Sequence, residues 1–300
     1  PAALQEGETM NRIRNAQALA ASALVLLTCS AIEAGAAEST LEKIARTGEL
    51  VLGYRDDSNP LSFRRANGEP AGYSVDFCRK VAEAVDAHFP DQDIEAKFVP
   101  TTSGRRIDAV VNGTIDIECG STTITLSRQE RVDFSLPTFV TGGSVLSLAA
   151  SGIRDIPDLD GQRVAVISGT TTADQLGAHL DEHGIEAKIV TVADRNEGMN
   201  LLNEGEVEAL ASDQIVLIGQ VLEARNPDRY AIISEIFSYE PYGLVVRRND
   251  ADFRLVVNRA IARLYRTGEQ GEIFYDWIGK LGISVPPVVA AMYQLNALPE

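Results

Sequence analysis

The sequence predicts an α/β protein of two lobes, each a central sheet flanked by helices, joined by a hinge of two segments. Three observations lead there. Between about residues 50 and 118, short apolar runs alternate with stretches of helical period, the pattern of an open, mostly parallel sheet. That rhythm breaks at Phe134-Ser135-Leu136-Pro137-Thr138-Phe139-Val140, a proline-bearing extended crossover, and a second unit of the same kind follows. A further extended run, 239–246, leads into a long amphipathic helix at 253–266, so the chain passes between the units twice.

The elements follow in order. Ser39-Thr40-Leu41-Glu42 places a hydroxyl three residues before an acid, the signature of a capped short helix. Residues 50–55 read as a strand and 56–60 as a turn-rich loop. Gly72-Tyr73 opens a helix to about residue 88, with Phe77, Val81, Ala84 and Val85 on its apolar face. A strand at 94–99, a helix at 104–112 stopped by Asn112-Gly113, and a strand at 114–118 complete the first unit. In the second unit, strand 163–167 ends at Ser168-Gly169-Thr170-Thr171-Thr172, which opens a helix through 183. Strand 188–192, helix 196–203, strand 209–213, helix 214–224 and strand 230–233 follow.

Composition is that of a soluble globular chain, 45% hydrophobic and 23% charged over 300 residues. The formal net charge of -16 argues against nucleic acid and anionic membranes as partners. It does not exclude an acidic ligand, because a pocket's field is set locally. A binder of acidic solutes on so acidic a chain must gather several arginines in one place. The N-terminus reads as a leader. Asn11-Arg12-Ile13-Arg14, an apolar run from 16 to 32 and Ala34-Gly35-Ala36 make a charged region, an apolar region and a cleavage site. Met10 is then the start, residues 1–9 an upstream extension, and residues 1–36 are removed on export. Leu26-Leu27-Thr28-Cys29 only faintly resembles a lipidation box, since Thr28 stands where a smaller residue is expected. In an exported chain the remaining cysteines, Cys78 and Cys119, form either a disulfide or two buried thiols.

The chemistry gathers in Glu118-Cys119-Gly120-Ser121-Thr122-Thr123-Ile124-Thr125-Leu126-Ser127-Arg128, a small-residue loop at the end of a predicted strand. Such strand ends are where α/β sheets bind ligands. Its hydroxyls and backbone N–H groups suit a small zwitterion, and a guanidinium can clamp a carboxylate. An ordinary helix cap accounts for the same residues. His179 and His183 stand one helical turn apart, a spacing that can bind zinc, but nothing indicates a third ligand.

In sequence order, Ser39-Thr40-Leu41-Glu42-Lys43-Ile44, Gly72-Tyr73-Ser74-Val75-Asp76, Thr102-Ser103-Gly104-Arg105-Arg106-Ile107, Asn112-Gly113-Thr114, Glu118 to Thr123, Ser127-Arg128-Gln129 and Ser168-Gly169-Thr170-Thr171 resemble the periplasmic solute-binding proteins of amino-acid ABC importers. These have the two-lobed type II periplasmic binding fold. Ser74, in place of the usual acid, is similar to the glutamate/aspartate-binding members. The resemblance implies that Arg128, with Thr170, Thr171 and backbone N–H groups, holds a ligand α-carboxylate. It implies that Ser121, Thr123 and Asp213 hold the ammonium, and that Arg55, Ser103, Arg106 and Arg195 receive the side chain. At Arg195 those members tend to carry His, which leaves the balance of glutamate and aspartate open. It further implies a monomer that uses no cofactor, binds no metal and hands its ligand to a membrane permease with its ATPase.

Each residue also has a plainer reading. Arg55 beside Asp56-Asp57 suits a surface ion pair, Asp213 a helix cap, Arg195 a solvated position, and Arg105 the solvent-facing member of its pair. Tyr73 and Trp277 read as packing residues. The expected boundaries are 39–137 with 241–300 for lobe one, 142–236 for lobe two, and 138–141 with 237–240 for the hinge. Two other functions share the fold: a periplasmic dehydratase of the arogenate or prephenate type, for which Asp213 and Glu118 are the available acid–base groups, and a binder of a neutral amino acid.

Overall fold

The computed structural model describes residues 38–300; the predicted leader and Cys29 lie outside the described residues. Helix α1 (Thr40–Thr47) begins at the marked cap, where Ser39 Oγ accepts the Glu42 N–H and the Glu42 carboxylate accepts the Ser39 N–H. Strand β1 (Glu49–Arg55) is followed by β2 (Asp57–Ser58), β3 (Ser62–Arg64) and β4 (Pro70–Ala71), a three-stranded ribbon too short for periodicity to announce. Helix α2 (Tyr73–His88), strand β5 (Glu95–Thr101), helix α3 (Arg106–Val111) and strand β6 (Ile117–Glu118) come next. Strand β6 is shorter than the expected 114–118. The N–H groups of Thr114 and Ile115 turn back onto the Ala109 carbonyl, and pairing toward β1 starts only at Asp116.

After helix α4 (Leu126–Gln129), strand β7 (Val132–Thr141) leads straight into β8 (Gly143–Leu148). The second unit runs β9 (Arg163–Ile167), α5 (Thr171–His183), β10 (Lys188–Val192), α6 (Arg195–Glu204), β11 (Ala209–Asp213), α7 (Gln214–Glu223) and β12 (Tyr230–Ile232). Strand β13 (Glu240–Arg247) returns to the first unit, followed by α8 (Ala251–Thr267), α9 (Glu269–Trp277) and α10 (Pro287–Leu295).

Two five-stranded sheets result, ordered β5-β1-β6-β13-β7 and β10-β9-β11-β8-β12. In each, three strands are parallel and two run antiparallel to their neighbours. The extended crossovers are therefore sheet members as well as connectors. Pro137 sits opposite Gly243 where the β7–β13 register shifts, a place that tolerates a residue without an N–H.

Strand β9 is buried on both faces, as a near-continuous apolar run should be. Val164 and Val166 pack with Leu176 and Leu180 of α5, while Ala165 and Ile167 pack with Leu202 and Leu217 on the other side. In the first lobe Phe77, Val81 and Val85 of α2 meet Phe253, Val257 and Ile261 of α8, all fully buried. Each such side chain contributes about 1.5–3 kcal/mol by leaving water. Tyr73 is a packing residue, as expected, with its hydroxyl donating to the Thr138 carbonyl at 2.7 Å. Trp277 is half-buried and donates to Asp76 at 2.6 Å.

Cys78 of α2 and Cys119, just past β6, form a disulfide. It ties a core helix to the strand end that carries the hydroxyl-rich loop. Where the two connecting segments pass one another, a side chain at residue 142 would lie 2.0 Å from Ile236, and one at 143 would strike the Phe237 ring at 2.6 Å. Glycine at both positions permits that close approach.

Candidate ligand-binding cleft

The expected residues come from strand ends and helix starts of both lobes. Arg55 ends β1, Arg106 opens α3, and Ser121 to Arg128 follow β6. Thr170 and Thr171 lead into α5, Arg195 opens α6, and Asp213 ends β11. Each sits at the carboxyl edge of a parallel strand or in the loop beyond it, where the geometry of an open sheet leaves a crevice. Arg105 is exposed and Arg106 buried, so the solvent-facing assignment within that pair holds.

Across the crevice the lobes touch. Thr123 Oγ1 and Thr171 Oγ1 lie 3.1 Å apart. Arg106 Nη2 and Arg128 Nη2 both donate to the Gly169 carbonyl, at 3.4 Å each. Gly169 holds φ at +71°, and a Cβ there would lie 3.1 Å from the Gly104 Cα opposite. A side chain at Gly219 would lie 2.1 Å from the Asn59 carbonyl oxygen. The arrangement is a closed one.

The electrostatics divide the arginines. Arg55 donates to Asp57 at 2.7 Å, and Arg195 Nη1 lies 3.4 Å from both oxygens of the same carboxylate. Arg106 instead donates to Thr122 Oγ1 at 2.6 Å and to the carbonyls of Ser103 and Gly169, and Arg128 donates to the carbonyls of Thr123 and Gly169. Among the described residues neither Arg106 nor Arg128 is hydrogen-bonded to a carboxylate. Burial, with Arg128 and Arg55 nearby, pulls the Arg106 guanidinium below its ordinary range; burial does the same to Arg128, partly offset by Glu240.

Glu118 is fully buried and neither carboxylate oxygen is hydrogen-bonded. Burial raises its pKa; Arg106 opposes this, as does the nearby Thr122 hydroxyl, which makes no well-directed bond to it. Gly120 makes room for this group, since a Cβ there would lie 2.0 Å from Glu118 Oε1. Ser103 Oγ, Ser121 Oγ and Arg55 Nε are likewise buried without a partner. Apart from Ser74 Oγ, every such side-chain atom among the described residues belongs to this cleft. A buried polar atom left unpaired costs about 1–3 kcal/mol, so their concentration in one place marks a site made to meet polar groups.

Residues 50–280 match the bacterial extracellular solute-binding proteins, family 3. The chain belongs to this family. It is 36% identical over 244 residues to the glutamate/aspartate import solute-binding protein of Salmonella typhimurium, covering 81% of each chain. It is also 36% identical over 277 residues to the L-glutamate/L-aspartate-binding protein of Pseudomonas aeruginosa, covering 92% of this chain and 91% of that one. Among solved structures, an ancestral amino acid-binding protein described as a precursor of cyclohexadienyl dehydratase superposes with a TM-score of 0.69 at 27% identity, covering 80% of this chain and 99% of that one. The type II fold and the resemblance to amino-acid importers are thereby established for this family 3 member.

Two expected residues also bond within the protein. Thr170 caps α5, accepting the Ala173 N–H and donating to the Ile167 carbonyl. Asp213 accepts from Thr172 Oγ1 at 2.7 Å and from the Tyr242 hydroxyl. The solvated reading of Arg195 and the surface reading of the Arg55 ion pair both fail on burial: Arg195 and Arg55 are among the largest fully buried side chains.

Sequence reasoning missed Asp57 and Glu240. A surface ion pair with Arg55 is the reading the neighbouring residues suggest for Asp57, and it gives no sign of burial. Glu240 falls in the expected hinge segment, yet its Oε2 accepts from Thr123 Oγ1 at 2.5 Å and from Thr171 Oγ1 at 2.6 Å, joining a hydroxyl of each lobe. Burial and neighbouring Asp213 raise its pKa. A separate cavity of about 340 Å³ lies behind the hinge, against Phe139, Ile215, Ile236 and Val288. It has no charged side chain in its wall and so cannot compensate a zwitterion.

Proposed function

We propose that this family 3 protein is the periplasmic binding component of an amino-acid ABC importer and takes L-glutamate or L-aspartate into the interlobe cleft. The observation that carries the reading is the pair of guanidiniums, Arg106 and Arg128, that converge on the Gly169 carbonyl with no carboxylate bonded to either. Two guanidiniums with no carboxylate bonded to them fit a ligand with two carboxylates. Asp213 supplies the anionic side for its ammonium, the Glu240 carboxyl beside it a further acceptor, and Ser103 Oγ and Ser121 Oγ unused hydroxyls. The names of the Salmonella and Pseudomonas relatives point to the same ligands.

The rest of the reading follows from the ligand's fate. Hinge motion about 138–141 and 237–240 opens lobe one (39–137 with 241–300) from lobe two (142–236), and the closed, loaded form docks on a permease coupled to an ATPase. The protein works as a monomer in the periplasm and catalyses no reaction. Among the described residues no helix is long and apolar enough to cross a membrane.

Isothermal titration of ligand-stripped protein against the twenty amino acids tests the reading. The expected result is binding of glutamate, aspartate or both, well ahead of glutamine and asparagine. Preference for a neutral amino acid, or turnover of arogenate or prephenate, would replace it.

A further inference from the structure

The Asp57 carboxylate occupies an unusual place in the cleft. It is nearly fully buried, as are Arg55 and Arg195. Its Oδ1 accepts from Arg55 at 2.7 Å, and its Oδ2 accepts the Arg195 backbone N–H at 3.2 Å. The Arg195 guanidinium lies against both oxygens, donates to Ser58 Oγ at 2.9 Å and reaches Ser212 Oγ at 3.3 Å. Gln220 of the second lobe also donates to the Asp57 backbone carbonyl. One acid thus holds a guanidinium from each lobe.

We infer that Asp57 is a specificity-determining residue: it acts as a built-in anion that withholds Arg55 and Arg195 from the ligand and leaves Arg106 to meet the ligand's side-chain carboxylate. The inference rests on the reading of the ligand as an acidic amino acid. The physics is that of a shared counter-ion. A carboxylate brought near Arg55 and Arg195 meets two cations that already share one anion, which offsets part of their charge and repels the newcomer. Arg106, bonded only to a hydroxyl and two carbonyls, has its charge available. Selection of acid over amide then rests mainly on Arg106, and Asp57 lowers what Arg55 and Arg195 add to it.

The test is the ratio of glutamate to glutamine affinity, by calorimetry on ligand-stripped protein, in wild type and Asp57→Asn. The amide keeps the shape and removes the charge. The ratio is expected to rise about tenfold or more, the scale of one added charge-assisted contact. A ratio that stays the same or falls overturns the proposal. If Asp57→Asn does not fold, Asp57→Ser, which also removes the charge, takes its place and is held to the same outcomes. Should wild type bind no acidic amino acid, the proposed ligand fails on its own. The role of Asp57 would still require Asp57→Asn to gain glutamate affinity over wild type, and no gain would overturn it.

Discussion

Arg106→Ala is the substitution that separates recognition of an acid from closure of the cleft. The guanidinium makes three contacts: Thr122 Oγ1, the Ser103 carbonyl beside it, and the Gly169 carbonyl across the crevice. Loss of the Gly169 contact weakens closure for any ligand and so cancels in a comparison of two ligands. What remains is the partner of the ligand's side chain. For glutamate the variant leaves a desolvated carboxylate without its cation, a loss of about 2–5 kcal/mol. For glutamine only a hydrogen bond is lost, about 0.5–1.5 kcal/mol. The difference, about 0.5–4.5 kcal/mol, corresponds to a fall of about 2- to 2000-fold in the glutamate-to-glutamine ratio. Calorimetric titration of both ligands measures it, with a denaturation curve to confirm folding. Equal losses for the two ligands would show that Arg106 does not touch the side chain, and the assignment of the pocket would be abandoned.

Other expectations follow from the same geometry. Arg128→Ala should weaken every amino-acid ligand by about 2–5 kcal/mol, because the α-carboxylate is common to all; wild-type affinity in a titration would remove Arg128 from the site. Replacing Cys78 and Cys119 together by alanine should lower unfolding stability by about 4 kcal/mol in urea, given the 41-residue separation that the disulfide spans; a change under about 1 kcal/mol would place its role elsewhere. Asp57 carries a pH signature. Burial pushes its carboxyl up, but Arg195 and Arg55 outweigh this and bring it down to about 2 from the usual 3.8. A depressed acid contributes stability above its unfolded pKa and loses it as the pH falls through the folded one. About 2 kcal/mol should therefore disappear between about pH 4 and pH 2 in wild type but not in Asp57→Asn, and an equal slope in both would contradict the pairing.

Much of this architecture was legible because it rests on local signals. The Ser39 cap, the apolar run 163–167 and the strand ending at Asp213 are written in spacing and residue type, and their ends fall where the sequence puts them. The ribbon β2–β4 was not, because strands of two or three residues carry no period. Strand β7 looks like a mere crossover in sequence because Pro137 cannot donate to a ladder; only the distant partner β13 reveals that the register shift accommodates it. The site shows the same division. Hydroxyls and arginines at strand ends could be picked out singly, but which acid would meet which arginine depends on residues 138 positions apart, Asp57 and Arg195, and no local pattern links them.

The proposed anion site has to be reconciled with a chain of net charge -16. The overall charge acts through water and is screened beyond about 8–10 Å at ordinary ionic strength. Inside the closed cleft the relevant charges are the few that are buried together. Arg55, Arg106, Arg128 and Arg195 stand against Asp57, Asp213, Glu240 and a Glu118 whose raised pKa favours its neutral form, which leaves an excess of positive charge. The unpaired atoms of Glu118, Ser103 and Ser121 make that cleft less stable than an apolar one of the same shape. A disulfide at Cys119, directly before Gly120 and Ser121, fixes the loop where these atoms gather. The site can hold uncompensated groups because the backbone beneath them cannot relax to bury or pair them.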